Sequence, residues 1–247
     1  FWAQIWQFTE IRSSRQWDAV LSDADQFPGA RWFEGARLNF AENLLRHRSD
    51  KPALIARLEN GARKSLTYNE LFDQVSECAA GLRQLGVVSG DRVAGFMPNI
   101  PETIVAMLAT ASVGAIWSSC SPDFGINGVM DRFGQIEPKV LFGCDGYFYN
   151  GKTIDTLPRL KAICSKIESI EQLVVVPVIQ DAVAIDGFGN AVLFHDFLSA
   201  HRGAALFCEQ LPFNHPLYIM YSSGTTGAPK CIVHSAGGTL IQHLKEH

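Results

Sequence analysis

The chain has 247 residues, 47% of them hydrophobic and 19% charged, which is ordinary globular usage and excludes wholesale disorder, a collagen-like rod and a coiled coil. At about 150 residues per domain this makes one large domain or two small ones, long enough for a sizeable buried core. Lysine and arginine number 21 against 25 acids, a net charge of −4 without a run of one sign; no broad nucleic-acid or anionic-membrane footprint is indicated, and any anion must be gripped locally.

Cys78, Cys120, Cys144, Cys164, Cys208 and Cys231 show neither CxxC nor Cys/His ligand spacing, so no metal site is assigned and reduced thiols in a cytosolic protein fit best. The longest apolar stretch, 104–117, is interrupted by Thr110 and Ser112 and falls short of the roughly 20 residues a membrane helix needs. No basic segment leads into an apolar one after Phe1, so no secretory signal is read. The start at Phe1 and the helical pattern 237–247, which stops without a cap, give the expectation of a piece cut from something longer.

Residues 1–50 hold nine aromatics, among them Trp2, Trp6, Trp17, Trp32 and Phe33, without a sustained period. They read as an N-terminal segment that wraps a larger body, with a peptide-binding aromatic platform as the alternative. From residue 51 strands and helices alternate. A strand at 53–58 precedes a helix over 66–86, bounded by a Thr67/Glu70 capping box and by Gly86. Next come a strand at 92–97, a helix opened by Pro101 and Glu102, a strand at 115–119, a helix at 125–136, a strand at 139–144, a helix over 153–167 that Pro158 delays, and a strand at 172–179. Short β-branched strands separated by helices predict an α/β body with a mainly parallel sheet covered on both faces. Residues 181–216 are less regular, with a helical hint at 192–200, and strands at 216–221 and 231–235 flank a loop of small residues.

That loop carries the chemistry. Ser222, Ser223, Gly224, Thr225, Thr226 and Gly227 offer little bulk and many donors, Pro229 limits collapse, and Lys230 adds a positive charge. Glycines let the backbone approach an anion while amides and hydroxyls point at its oxygens. The string GTTGAPK is not a GxxxxGK[ST] nucleotide loop, because neither Ser nor Thr follows the lysine. A solubilising hairpin turn is the plainer alternative.

At these residues the chain resembles the adenylate-forming enzymes, the superfamily of acyl-CoA synthetases, peptide synthetase adenylation domains and luciferases. The strings WFEGARLNFAENLL (32–45), SSCSPDFG (118–125), DRFGQIEPKVLF (131–142) and the segment 215–247 extend the resemblance along nearly the whole chain. Most members place glycine after the loop lysine; Cys231 in that place is similar to the acetoacetate-activating branch. The resemblance implies the N-terminal part of the superfamily's large domain, with 1–50 a wrapping segment and 51–247 an incomplete AMP-binding domain. The rest of that domain and a small lysine-bearing domain are missing, so residues 1–247 alone are expected not to turn over.

It further implies that the parent activates acetoacetate with ATP to an acyl adenylate and passes it to CoA, with Mg2+ on the departing pyrophosphate, and that its partners include these small molecules but neither nucleic acid nor membrane. Ser222, Ser223, Gly224, Thr225, Thr226, Gly227 and Lys230 would hold the ATP phosphates. Arg132 has two readings, a contact to CoA phosphates or a helix-surface arginine. His234 lies near the acyl or nucleotide site or is a packed strand histidine, Trp117 is core or substrate wall, and Cys231 is a small packing residue rather than a nucleophile. Two rival functions stand beside this one: a synthetase for another short acid, and a non-catalytic nucleotide-binding module on the same fold.

Overall fold

The computed structural model describes residues 1–222 and 227–246. The chain opens with helix α1 (Trp2–Phe8), strands β1 (Ala19–Ser22), β2 (Arg31–Glu34) and β3 (Arg37–Leu38), and helix α2 (Phe40–Leu44). A hairpin of β4 (Pro52–Arg57) and β5 (Arg63–Thr67) leads into α3 (Tyr68–Gln84). There follow β6 (Arg92–Phe96), α4 (Pro101–Val113), β7 (Ile116–Cys120), α5 (Ile126–Ile136), β8 (Val140–Cys144), β9 (Gly146–Tyr149), β10 (Lys152–Asp155), α6 (Leu157–Lys166), β11 (Gln172–Val176), β12 (Ala191–Leu193) and α7 (Phe194–Ser199). Strands β13 (Leu211–Pro212), β14 (Pro216–Ser222) and β15 (Lys230–Ser235) precede α8 (Ala236–Glu246).

A seven-stranded sheet in the order β12-β11-β8-β6-β7-β14-β15 forms the centre. Every neighbouring pair is parallel except β14 and β15. Side chains alternate between two cores, as strands covered on both faces require. Val93, Val140, Phe142, Val174 and Val176 join α3, α4 and α7 on one side, whereas Ala94, Phe96, Leu141, Leu173 and Val175 join α5 and α6 on the other. Trp117, 5% exposed, is core rather than a substrate wall. Its ring lies against Gly95, where a β-carbon would come within 2.7 Å.

The α3 capping box forms as expected, Thr67 Oγ1 accepting from Glu70 N and Glu70 Oε2 accepting from Thr67 N. Gly86 follows the helix end at φ +71°. The polar residues inside the long apolar stretch are buried in α4, where Thr110 and Ser112 hydroxyls donate to the Ala106 and Ala109 carbonyls, both at 2.7 Å.

Several boundaries differ from the sequence reading. Residues 152–155 form β10, paired with β9, and the helix begins only at Leu157; the β-branched pair Thr153 and Ile154 favours the pleated surface and Pro158 is confined to the first turn. The helical hint at 192–200 divides into β12 and α7.

The N-terminal segment packs Trp6, Phe33 and Phe40 inward and leaves Phe1, Phe8 and Phe27 exposed. Trp6 stacks on Phe33 at 4.9 Å between centroids, and Phe33 meets Phe213 at 4.8 Å. Asn39, fully buried, joins this layer to the sheet. Its Oδ1 accepts from Ala41 N and Glu42 N, capping α2. Its Nδ2 lies within donating distance of the carbonyls of Ala111 (3.0 Å), Ser112 (3.3 Å) and Glu209 (2.8 Å). The first two belong to the last turn of α4, where helix carbonyls lack intrahelical partners. One amide thus serves the start of one helix and the end of another.

Two predictions follow from this packing. Asn39→Ala removes a cap and strands buried carbonyls, a loss of about 2–4 kcal/mol; it is read as a lower urea midpoint with an unchanged slope. Burial also raises the thiol pKa values of Cys120 and Cys208 to about 12 and of Cys144 and Cys164 to about 11. A raised value keeps these groups protonated and unreactive at pH 8. Iodoacetamide on the native protein should therefore modify exposed Cys231 first and the others only after unfolding, as followed by peptide mass spectrometry.

Candidate functional site

In β7-β6-β8-β11-β12 the chain starts in the middle, steps to one side and then builds outward on the other. Ligands of open parallel sheets gather at the carboxyl ends of such strands. Because β14 runs parallel to β7, the loop that leaves it emerges at that same edge. Ser222, which ends β14, therefore lies at that edge.

Ser222, half-buried, ends β14 and pairs with exposed Lys230 at the start of β15. Ser223, Gly224, Thr225 and Thr226 lie outside the described residues. Gly227 is exposed at φ +92°, a left-handed conformation that favours glycine. Lys230 and Ser222 therefore stand across from each other at the mouth of the hairpin, one ammonium group and one hydroxyl.

The base of the hairpin is tied to β7 through Ser118, buried at 1% exposure. Its Oγ lies 2.9 Å from the Ile219 carbonyl oxygen and 2.9 Å from Tyr221 Oη. A carbonyl only accepts, so the single serine proton goes to Ile219, and Tyr221 completes the chain by donating to Ser118. Burial raises the Tyr221 pKa, which keeps the phenol protonated as that donor.

Helix α5 packs over the same base. Arg132 carries its guanidinium carbon 4.4 Å from the Phe124 ring centroid and 5.6 Å from that of Tyr221, while its Nη1 donates to the Gly128 carbonyl at 2.7 Å. It thus stands against the residue that opens the loop. One helical turn on, Gln135 meets the loop's other end, its Nε2 donating to the Pro229 carbonyl at 2.9 Å. Its Oε1 accepts from Cys231 Sγ at 3.6 Å. Ser118 and Gln135 were not singled out by the sequence, which carries no local signal for either.

His234 lies four residues beyond Lys230 on exposed β15, about 13 Å further along at the usual strand rise. Its ring sits 5.2 Å from that of Tyr218, its cross-strand partner. The structure brings Lys230, Ser222 and Arg132 to one end of the sheet and leaves His234 further down the edge strand. Among the described residues three or more His, Cys, Asp or Glu side chains nowhere gather as a metal site, and no helix is long and apolar enough to cross a membrane.

Comparison with known proteins agrees with this architecture. A family model described as AMP-binding enzyme matches residues 40–246, and one described as acetyl-coenzyme A synthetase N-terminus matches 1–44. The chain is 49% identical over 255 residues to acetoacetyl-CoA synthetase of Mus musculus and 51% identical over 248 residues to acetoacetyl-coenzyme A synthetase of Rhizobium meliloti (strain 1021). In each case all of this chain aligns with 38% of the relative, so the chain spans little more than a third of the relatives' length. Acetoacetyl-CoA synthetase from Streptomyces lividans superimposes with a TM-score of 0.93 at 44% identity, covering 100% of this chain and 38% of that one. With the matched region taking in both the sheet and the loop at its carboxyl edge, the chain belongs to the AMP-binding enzyme family.

Proposed function

We propose that the protein is an ATP-dependent, AMP-forming acid–thiol ligase of the cytosol whose acid is acetoacetate. The observation that carries this reading is the identity of about half, along the whole of this chain, to enzymes of that name from an animal and a bacterium. Cytosolic placement is supported by six cysteines that stand free.

In the proposed reaction a carboxylate oxygen of acetoacetate attacks the α-phosphorus of ATP, the bond to the pyrophosphate oxygen breaks, and an acyl adenylate forms. The thiolate of CoA then attacks the acyl carbon and AMP leaves. The first step is a displacement at phosphorus, for which a protein mainly supplies position and charge. Ser222, Ser223, Gly224, Thr225, Thr226 and Gly227 would offer hydroxyl and amide donors to the β and γ phosphates, and Lys230 would balance the charge that builds on the departing pyrophosphate. Mg2+ carried on the phosphates would supply further neutralisation, with no side chain of this chain assigned to hold it. Arg132 is proposed as a contact for the phosphates of CoA and His234 as a contact for the acyl or nucleotide group.

The test uses the protein expressed from its complete reading frame. Lys230→Ala should lower acetoacetate-dependent pyrophosphate release by about 100- to 1,000-fold, the range seen when one preorganised charge-stabilising donor is lost; unchanged release would remove the loop from the chemistry. Profiling kcat/KM for acetoacetate, propionate and acetate separates the named acid from other short acids. A preference for either of the latter two would reassign the substrate while leaving the reaction class in place.

A further inference from the structure

We infer that Gln135 is a positioning residue that sets the place of Lys230 in the phosphate loop. The inference rests on the reading of residues 222–230 as the cradle for the ATP phosphates.

The geometry begins with the hairpin register. Tyr221 pairs with Cys231 and Ser222 with Lys230. Successive strand residues point to opposite faces, so Tyr221 and Cys231 share one face and Ser222 and Lys230 the other. Helix α5 covers the first of these, since Arg132 stands over Tyr221 and Gln135 bonds Cys231. The two helix residues are three apart, the spacing that puts side chains on one helical face.

Gln135 grips the residue on each side of the lysine. Its Nε2 donates to the carbonyl of Pro229, 2.9 Å away, and its Oε1 accepts from Cys231 Sγ at 3.6 Å. Proline has no amide proton, so its carbonyl is the handle by which a side chain can hold this backbone. The same Nε2 also meets the Asp131 carbonyl in the preceding turn of α5, which fixes the side chain's direction. With the Pro229 carbonyl and the Cys231 thiol both bonded to Gln135, the chain on either side of Lys230 is tied to the helix. The lysine is then presented on the face opposite α5, beside Ser222.

Gln135 is exposed, so packing does not account for its place, and its replacement leaves the core intact. A fixed lysine spares the ordering that a ligand would otherwise have to impose. The consequence belongs to ATP rather than to the acid or to CoA.

The experiment uses steady-state pyrophosphate release by the full-length protein and three variants, Gln135→Met, Lys230→Ala and the double variant. Methionine keeps the length and neutrality of glutamine and drops the amide donor. Expected is a rise of about 3- to 10-fold in KM for ATP in Q135M, as one lost hydrogen bond gives, with KM for acetoacetate and for CoA within twofold of the parent. Adding Q135M to K230A should change little, because the group being positioned is already gone. An ATP KM that stays unchanged in Q135M beside an impaired K230A overturns this inference alone. So does an equal rise in the K230A background, which would make Gln135 act independently of the lysine. An unimpaired K230A overturns the reading of the loop and this inference with it.

Discussion

The placement of the loop depends on how β14 is seated against β7. Their parallel pairing is short, with Tyr218 opposite Trp117 and Ile219 opposite Ser118, and a side-chain bond from Ser118 to the Ile219 carbonyl reinforces it. Were β14 antiparallel here, the loop would emerge at the amino ends of the strands, away from the edge where parallel sheets collect ligands. Consecutive residues of β7 do separate jobs because strand side chains alternate. Trp117 fills one core against Gly95, and Ser118, on the other face, ties down the strand that carries the site.

That seating is prepared at the other end of the sequence. Residues 209, 211 and 213 lie on the approach to β14, and each is fastened to the N-terminal layer. The Glu209 carbonyl accepts from Asn39, Leu211 pairs with Leu38, and Phe213 packs on Phe33. Asn39 in turn closes the last turn of α4, the helix that crosses from β6 to β7. Through these ties the aromatic segment is a template for β14.

The sequence revealed most where structure repeats locally. The capping box at Thr67, the proline and acid opening α4, and the alternation of short apolar strands with helices each encode their own geometry within a few residues, and the parallel sheet follows from them. Side chains whose partners are distant were silent. Gln135 and Pro229 are 94 positions apart, Ser118 and Tyr221 103, and Asn39 and Glu209 170; a lone glutamine, serine or asparagine looks the same on a solvated surface. The pattern of the sequence starts a helix at 153, inside β10, because a four-residue strand carries too short a pattern to compete with a proline-led helical one. The loop stands out in the sequence because its composition is unusual at every position, whereas Gln135 and Ser118 beside its ends are ordinary residues.

A neutral amide at position 135 suits the chemistry better than a charged side chain of similar reach. Glutamine carries two donors and an acceptor on one group, enough to hold a carbonyl before the lysine and a thiol after it. A glutamate there would lose the donor to Pro229 and would add a negative charge to the end of the sheet proposed to receive a polyphosphate. A lysine or arginine could donate to Pro229 but would not accept from Cys231. The grip on the loop is therefore made without spending any of the positive charge that the proposed cradle needs, and Lys230 enters β15 with its ammonium group exposed on the far side from the helix that holds its neighbours.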